Sequence, residues 1–258
     1  MTPIMTEIAA HRGGAALWPE NSATAFQGAI ALGVEQIEFD VQMTADHVPV
    51  IFHDTTLDRM TNGTGPLADR TLAQLKELEI TGGGGQILTL EEGVDIMAPS
   101  GIVLRCEIKP GPGMIPYAGL TDATLAILSR HGLFARTVIT SFHLPILAEV
   151  ASKALPMRDV IWLVADPIAR LLSPTDLAML AHAAGVGAIA PHWKVLAEGT
   201  RLSDLRAADL RASAFGVLED AAIVWALGTA LPVFTTDRPD AALRLRLRLR
   251  HNQKGGAA

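Results

Sequence analysis

The chain has 258 residues, 49% hydrophobic and 5% aromatic, with 21 basic against 27 acidic side chains and a net charge of −6. This allows one large core of Ala, Leu, Val and Ile, and the acidic balance speaks against a nucleic-acid partner. A lone cysteine, Cys106, excludes an internal disulfide framework. The N-terminus has no signal-peptide pattern, and no apolar run approaches the ~20 residues of a spanning helix. A soluble cytoplasmic protein without stable membrane insertion is expected.

Short β-like runs alternate with helical patterns, the rhythm of parallel βα units. The first run, "EIAAH", ends on His11, followed by Arg12 and two glycines. A helix is predicted over Ser22–Leu32, capped by Asn21 or Ser22 and stopped at Gly33. "QIEFDV" comes next, then "VPVIFH" after a very short break. A parallel crossover needs a dozen or more residues. These two runs are therefore predicted as an antiparallel hairpin turning near Asp46, with His53 opposite Asp40. Residues 54–100 hold a helix at Thr71–Leu78, the break "TGGGG" and a helical patch from Leu90. They read as a small insertion over the rim.

Beyond it lie "VLRCEI", "TVITSF", "DVIWLV", "AIAPHW", "SAFGVL" and "LPVFTT". Helices are predicted between them at Thr121–Ser129, Leu144–Lys153, Pro174–Ala184, Arg201–Leu210 and Ala221–Leu227, with Thr121 and Asp220 as caps and Gly132 and Gly185 as stops. "LRLRLRLR" alternates like a strand, but Pro239 suits a helix start. A terminal helix with a solvated basic side is predicted, and a membrane-surface role for it is the weaker alternative. With the hairpin set aside, eight runs remain. The fold class is α/β: one (β/α)8 TIM barrel over 1–258, with the hairpin and insertion over the C-terminal rim.

Glu38 and Asp40 are two apart in a strand and share a face, while Ile37, Phe39 and Val41 take the other. Glu107 and Lys109 repeat the pattern. Three carboxylates converging at a barrel's C-terminal end suit a hard divalent cation, Mg²⁺ or Ca²⁺. Each pair alone reads equally well as a strand carboxylate bonded to a neighbouring Arg or Lys. His11 and His53 both end strand runs beside carboxylates, and imidazole is matched to proton transfer near neutral pH. Arg12 and Lys109 supply positive charge for a phosphoryl oxygen. Trp18 is a loop residue that either covers a substrate or packs on the rim. His143 and His192 rank below the two strand-end histidines.

The stretches "HRGGAALWPENSATAF", "GVEQIEFDVQMTADHVPVIFHDTTLDRMTNGTG", "LADRTLAQLKEL", "EIKP", "SF" and "TTDRP" together resemble the glycerophosphodiester phosphodiesterases. The resemblance runs from about residue 8 to 240 and is densest before residue 80. It implies a (β/α)8 barrel with a small insertion, and metal-dependent hydrolysis of small glycerophosphodiesters to glycerol 3-phosphate and an alcohol. It implies His11 and His53 as the acid–base pair, and Glu38, Asp40 and Glu107 as ligands of one divalent ion. Arg12 and Lys109 would contact phosphate, with Asn21 and Asp54 orienting their neighbours. Ser22 and His47 depart from the family's usual Thr and Gly. Phe215, Gly216, Val217 and Leu218 stand where the family often has Trp-Thr-Val-Asn, which predicts a less polar wall and a relaxed choice of alcohol. The alternatives are a lysophospholipase D-like or phosphoinositide-cleaving relative, and a binding barrel without turnover.

Overall fold

Strands form at or beside all nine apolar runs in the computed structural model, which describes residues 6–229 and 231–255. They are β1 (Glu7–Ala10), β2 (Gln36–Met43), β3 (Pro49–Ile51), β4 (Val103–Ile108), β5 (Thr137–Ser141), β6 (Asp159–Val164), β7 (Ala188–Pro191), β8 (Arg211–Ala212) and β9 (Val233–Thr236). The sheet order is β8-β7-β6-β5-β4-β2-β1-β9, with β3 paired off this path to β2. Every neighbouring pair on the path is parallel. A single parallel bridge between Ala214 and Phe234 links its two ends. The result is an α/β fold whose parallel strands curl into a barrel-like wall, consistent with the expected (β/α)8 architecture.

The helices are α1 (Ala23–Leu32), α2 (Leu72–Leu75), α3 (Leu90–Met97), α4 (Leu120–Arg130), α5 (Leu144–Ser152), α6 (Asp166–Leu171), α7 (Pro174–Ala183), α8 (Trp193–Leu196), α9 (Arg201–Ala207), α10 (Asp220–Gly228) and α11 (Pro239–Gly255). Period-two alternation decides what faces them. Ile37, Phe39, Val41, Leu104, Cys106 and Ile108 join the main core with Phe26, Leu147, Leu177 and Ile223. The alternate residues Glu38, Asp40, Arg105 and Glu107 are buried too, on the inner face. A smaller apolar cluster there comprises Val103, Val138, Ile161, Leu163, Ala188 and Ala190.

The hairpin forms, with its register one residue from expectation. Val41 pairs with Ile51 and Gln42 with Val50, and Phe52 N donates to Asp40 O at 3.1 Å. Phe52, not His53, therefore stands beside Asp40. The turn sets this: Thr44 N donates to Val48 O, with His47 at φ 58°, and one slipped residue exchanges the faces of every side chain. Val50, Phe52, Leu57, Leu67, Leu75, Ile80 and Ile87 form a second small core. Within the expected insertion, α3 behaves differently, since Leu90, Val94 and Met97 belong to the main core.

Other ends also moved. Ser22 caps α1, accepting from Ala25 N at 3.1 Å. Thr121 caps nothing: it lies inside α4, and its hydroxyl donates to Glu149. Asp220 is the first residue of α10 rather than its cap. The eighth strand precedes its predicted place. Gly216, at φ +72°, breaks the extended backbone, and a Cβ there would lie 2.5 Å from the His192 ring. The predicted alternation of Phe215–Leu218 across a pocket wall is thereby lost. Val217 is fully buried in the main core, and Leu218 is exposed. The terminal helix forms as predicted. Leu243 and Leu245 pack on the core, while Arg246 turns inward to pair with Glu35 at 2.9 Å.

Candidate active site

The first strand stops at His11 because the backbone leaves the sheet there. Arg12 has φ 50° and Asn21 φ 57°, a conformation non-glycine residues adopt at some cost and one concentrated at functional sites. Gly13 follows at φ +83°, where a Cβ would lie 2.7 Å from Ala25 Cβ. This tight turn lets Arg12 N donate to Glu38 Oε2 at 2.9 Å. Asn21 Nδ2 donates to Asp40 Oδ2 at 2.8 Å. The two positive-φ residues thus fix the two β2 carboxylates.

Ligand oxygens of Glu38, Asp40 and Glu107 lie within 4.8 Å of one another, and all three residues are buried. Lys109 Nζ sits 2.9 Å from Asp40 Oδ1 and 2.6 Å from Glu107 Oε1. Asp40 Oδ1 nevertheless accepts no well-directed hydrogen bond. Burial and the neighbouring Asp40 carboxylate push the Glu38 carboxyl up to about 7. Burial would raise Asp40 as well, but Lys109, His53 and Arg12 outweigh it and hold Asp40 well below the usual range. Crowded, buried carboxylate oxygens fit a hard divalent cation.

The two histidines are built alike. His11 Nδ1 meets Asp237 Oδ1 at 2.5 Å, and its Nε2 lies 3.9 Å from Glu38 Oε2. His53 Nδ1 meets Asp54 Oδ1 at 2.6 Å. Their side chains are 32% and 31% exposed, so each is gripped yet reachable. A carboxylate on Nδ1 fixes the ring's orientation and leaves Nε2 to exchange protons. Burial lowers the pKa of His11, but Glu38 and Asp237 more than offset this and raise it.

A family model, the Glycerophosphoryl diester phosphodiesterase family, matches residues 11–241. The chain belongs to that family. As a member of this family of phosphoric diester hydrolases, it is 36% identical over 155 residues to a glycerophosphodiester phosphodiesterase of Caldanaerobacter subterraneus, covering 58% of this chain and 63% of the relative. The chain thus spans under two thirds of that relative's length. A crystal structure from Agrobacterium tumefaciens assigned to the same activity shares 35% identity and a TM-score of 0.90, over 96% of this chain and 99% of that one. An Oleispira antarctica phosphodiesterase in complex with the product sn-glycerol-3-phosphate shares 25% identity and a TM-score of 0.77, over 93% and 96% of the two chains.

Around the carboxylates and histidines lie further groups to which the sequence assigned no role. Glu20 accepts from Arg12 at 2.7 Å and from both terminal nitrogens of Arg59. Arg59 also grips Asp54, at 2.5 and 2.9 Å, and holds that carboxyl down at about 2. One chain of charges therefore connects Arg12 to His53. Gln42 Nε2 lies 3.0, 2.9 and 2.7 Å from the carbonyl oxygens of Phe52, His53 and Asp54, which share its two N–H donors. It clamps the backbone where β3 has left the sheet. Glu20 and Asp237 sit within "PEN" and "TTDRP", so their stretches were visible and their partners were not.

A cavity of about 620 Å³ opens beside His53, Glu107 and Lys109, and its lining also includes Pro110, Met114, Phe142 and Ala165. Phe215 meets Phe142 edge-on at 5.6 Å. Trp18 lies against α1 at Gly28, so it packs on the rim. His143 begins α5, and His192 begins α8 with its ring edge-on to Phe215. Neither belongs to the carboxylate cluster. Among the described residues, no helix is long and apolar enough to cross a membrane.

Proposed function

We propose that this chain hydrolyses glycerophosphodiesters to glycerol 3-phosphate and an alcohol, within one barrel domain carrying a small insertion. The observation that carries the reading is the matched pair of imidazoles, each held through Nδ1 by a carboxylate, bordering the three-carboxylate cluster. Glu38, Asp40 and Glu107 are the residues that would hold one Mg²⁺ or Ca²⁺. When bound, that ion supplies positive charge for the phosphoryl group. Arg12 and Lys109 bind the non-bridging phosphate oxygens, and their cationic fork and point charge stabilise the added negative charge at phosphorus.

The remaining work is proton transfer. One imidazole Nε2 takes the proton of the attacking oxygen, which is water or the substrate's neighbouring glycerol hydroxyl. The other Nε2 delivers a proton to the departing alkoxide. Asp237 and Asp54 hold the two rings in register, and Gln42 keeps the His53 backbone from shifting. Product binding in the Oleispira relative supports glycerol 3-phosphate as the part retained.

The apolar residues Pro110, Met114, Phe142 and Ala165 in the lining of the 620 Å³ cavity favour a second reading, in which the leaving alcohol carries apolar bulk, as in a lysolipid. An apolar wall distinguishes leaving groups by only ~1–3 kcal/mol. With discrimination at the lower end of that range, ~1.4 kcal/mol, choline, ethanolamine and bulkier esters fall within about tenfold in kcat/KM. Glycerol 3-phosphate release from such a series, with and without a chelator, tests both readings. Release that stops on chelation and returns with Mg²⁺ or Ca²⁺ is expected. No turnover of any diester would overturn the reading in favour of a binding barrel, and a several-hundredfold preference would overturn the relaxed alcohol site.

A further inference from the structure

The opposite, N-terminal mouth of the sheet holds a cavity of about 300 Å³, lined by Glu7, Gln36, Arg105, Asp159, Arg211 and Ser213 among others. Glu7, Gln36, Asp159 and Arg211 stand at the starts of their strands, at the far end from the histidines, with Arg105 two residues into β4 and Ser213 just past β8. Glu7 pairs with Arg158 at 2.7 Å, and Asp159 pairs with Arg211 at 2.6 and 2.8 Å. Both carboxylates of the lining are thus already matched by a guanidinium.

Arg105 is not. It is 2% exposed. Its Nη2 reaches Ser213 Oγ at 3.5 Å, at the edge of bonding range, and its Nη1 is buried with no partner. A buried guanidinium with idle donors is costly unless a counter-charge or an acceptor meets it. The same cavity holds a second idle group of opposite kind. Gln36 Nε2 donates to Glu7 Oε2 at 2.6 Å, which fixes the amide orientation. Its Oε1 is therefore an acceptor, buried and unpartnered.

We propose that this mouth binds a small oxyanion that carries a proton, of the inorganic phosphate or bicarbonate type. The lining offers three guanidiniums, counting Arg158, against two carboxylates, a surplus of one positive charge. The anion's oxygen accepts from Arg105 Nη1, and its hydroxyl donates to Gln36 Oε1. A halide would meet the first need and not the second. The cavity is at the lower end of the size range of small-molecule sites and has room for such an ion. The site is independent of the catalytic reading, because it uses none of the same side chains.

The test uses the full chain and inorganic phosphate. Crystals soaked in phosphate should show tetrahedral density within hydrogen-bonding distance of Arg105 Nη1. Calorimetry in a chloride background should count one more phosphate site in the parent than in Arg105→Met. Apolar replacement of a buried charge is often tolerated; if that variant does not fold, the soaked parent crystals decide alone. Water alone at Nη1 in phosphate-saturated crystals would overturn the proposal. So would bromide bound there with no phosphate, or an equal site count in both proteins.

Discussion

The two mouths of the sheet hold charge in opposite ways. At the C-terminal mouth the excess is acidic: Glu38, Asp40 and Glu107 crowd together against the two cations Arg12 and Lys109. At the N-terminal mouth the unmet group is the Arg105 guanidinium. Both sets sit on the same inner face, and Glu38 is the cross-strand partner of Arg105. The protein nevertheless leaves them without an ion pair to each other, although a buried pair could have satisfied both. An excess of one sign at each end is what separates a site from a balanced salt bridge.

The sharpest break of this comparison comes at the acidic mouth. His11→Ala and His53→Ala should each lower kcat about 10²–10⁴-fold, the share of a positioned acid or base. Steady-state kinetics with glycerophosphocholine reads this directly. Loss of the polar groups that hold these side chains should cost less. Asp237→Asn or Asn21→Ala is expected to lower activity or cation affinity about 10–100-fold, the usual effect of residues that orient ligands.

A pH series sharpens the comparison without mutation. In chelated protein, Glu38 has a folded pKa raised to about 7 by burial and Asp40, and that of His11 is also raised. A raised folded value means the folded state binds the proton better than the unfolded chain. That stability is complete below the ordinary carboxylate range and is lost as pH rises through 7. The Tm of chelated protein should therefore fall as pH rises from the ordinary carboxyl value of 4.5 to about 7. With a divalent cation bound, this decline should disappear, because the cation favours ionised Glu38. The smallest effect belongs to the basic rim. The Arg211 side chain is 63% exposed, so Arg211→Ala should cost under ~1 kcal/mol in denaturant unfolding.

What the sequence disclosed was whatever depends on local spacing. Two-residue alternation put Glu38 and Asp40 on one face, and the short link after "QIEFDV" allowed only a hairpin. The hairpin register was not legible, because it depends on the turn bonds of Thr44 and Val48. The Nδ1 partner of His11 is 226 residues away, and Glu20 meets Arg59 across 39 residues. No periodicity announces such contacts. The eighth strand was misplaced because Gly216 breaks the backbone to seat against His192, and an apolar run does not show that. Arg105 reads as one polar residue within a buried strand, and only the closed surroundings show that it lacks a partner.

Calorimetric titration of Mg²⁺ or Ca²⁺ into the intact protein tests the central claim most directly, alongside Glu38→Gln and Asp40→Asn. One cation per chain is expected in the parent, with affinity lost in both variants and proton release near pH 7 from Glu38. Cation affinity unchanged in both variants would contradict the account, since the crowded carboxylates would then hold no ion.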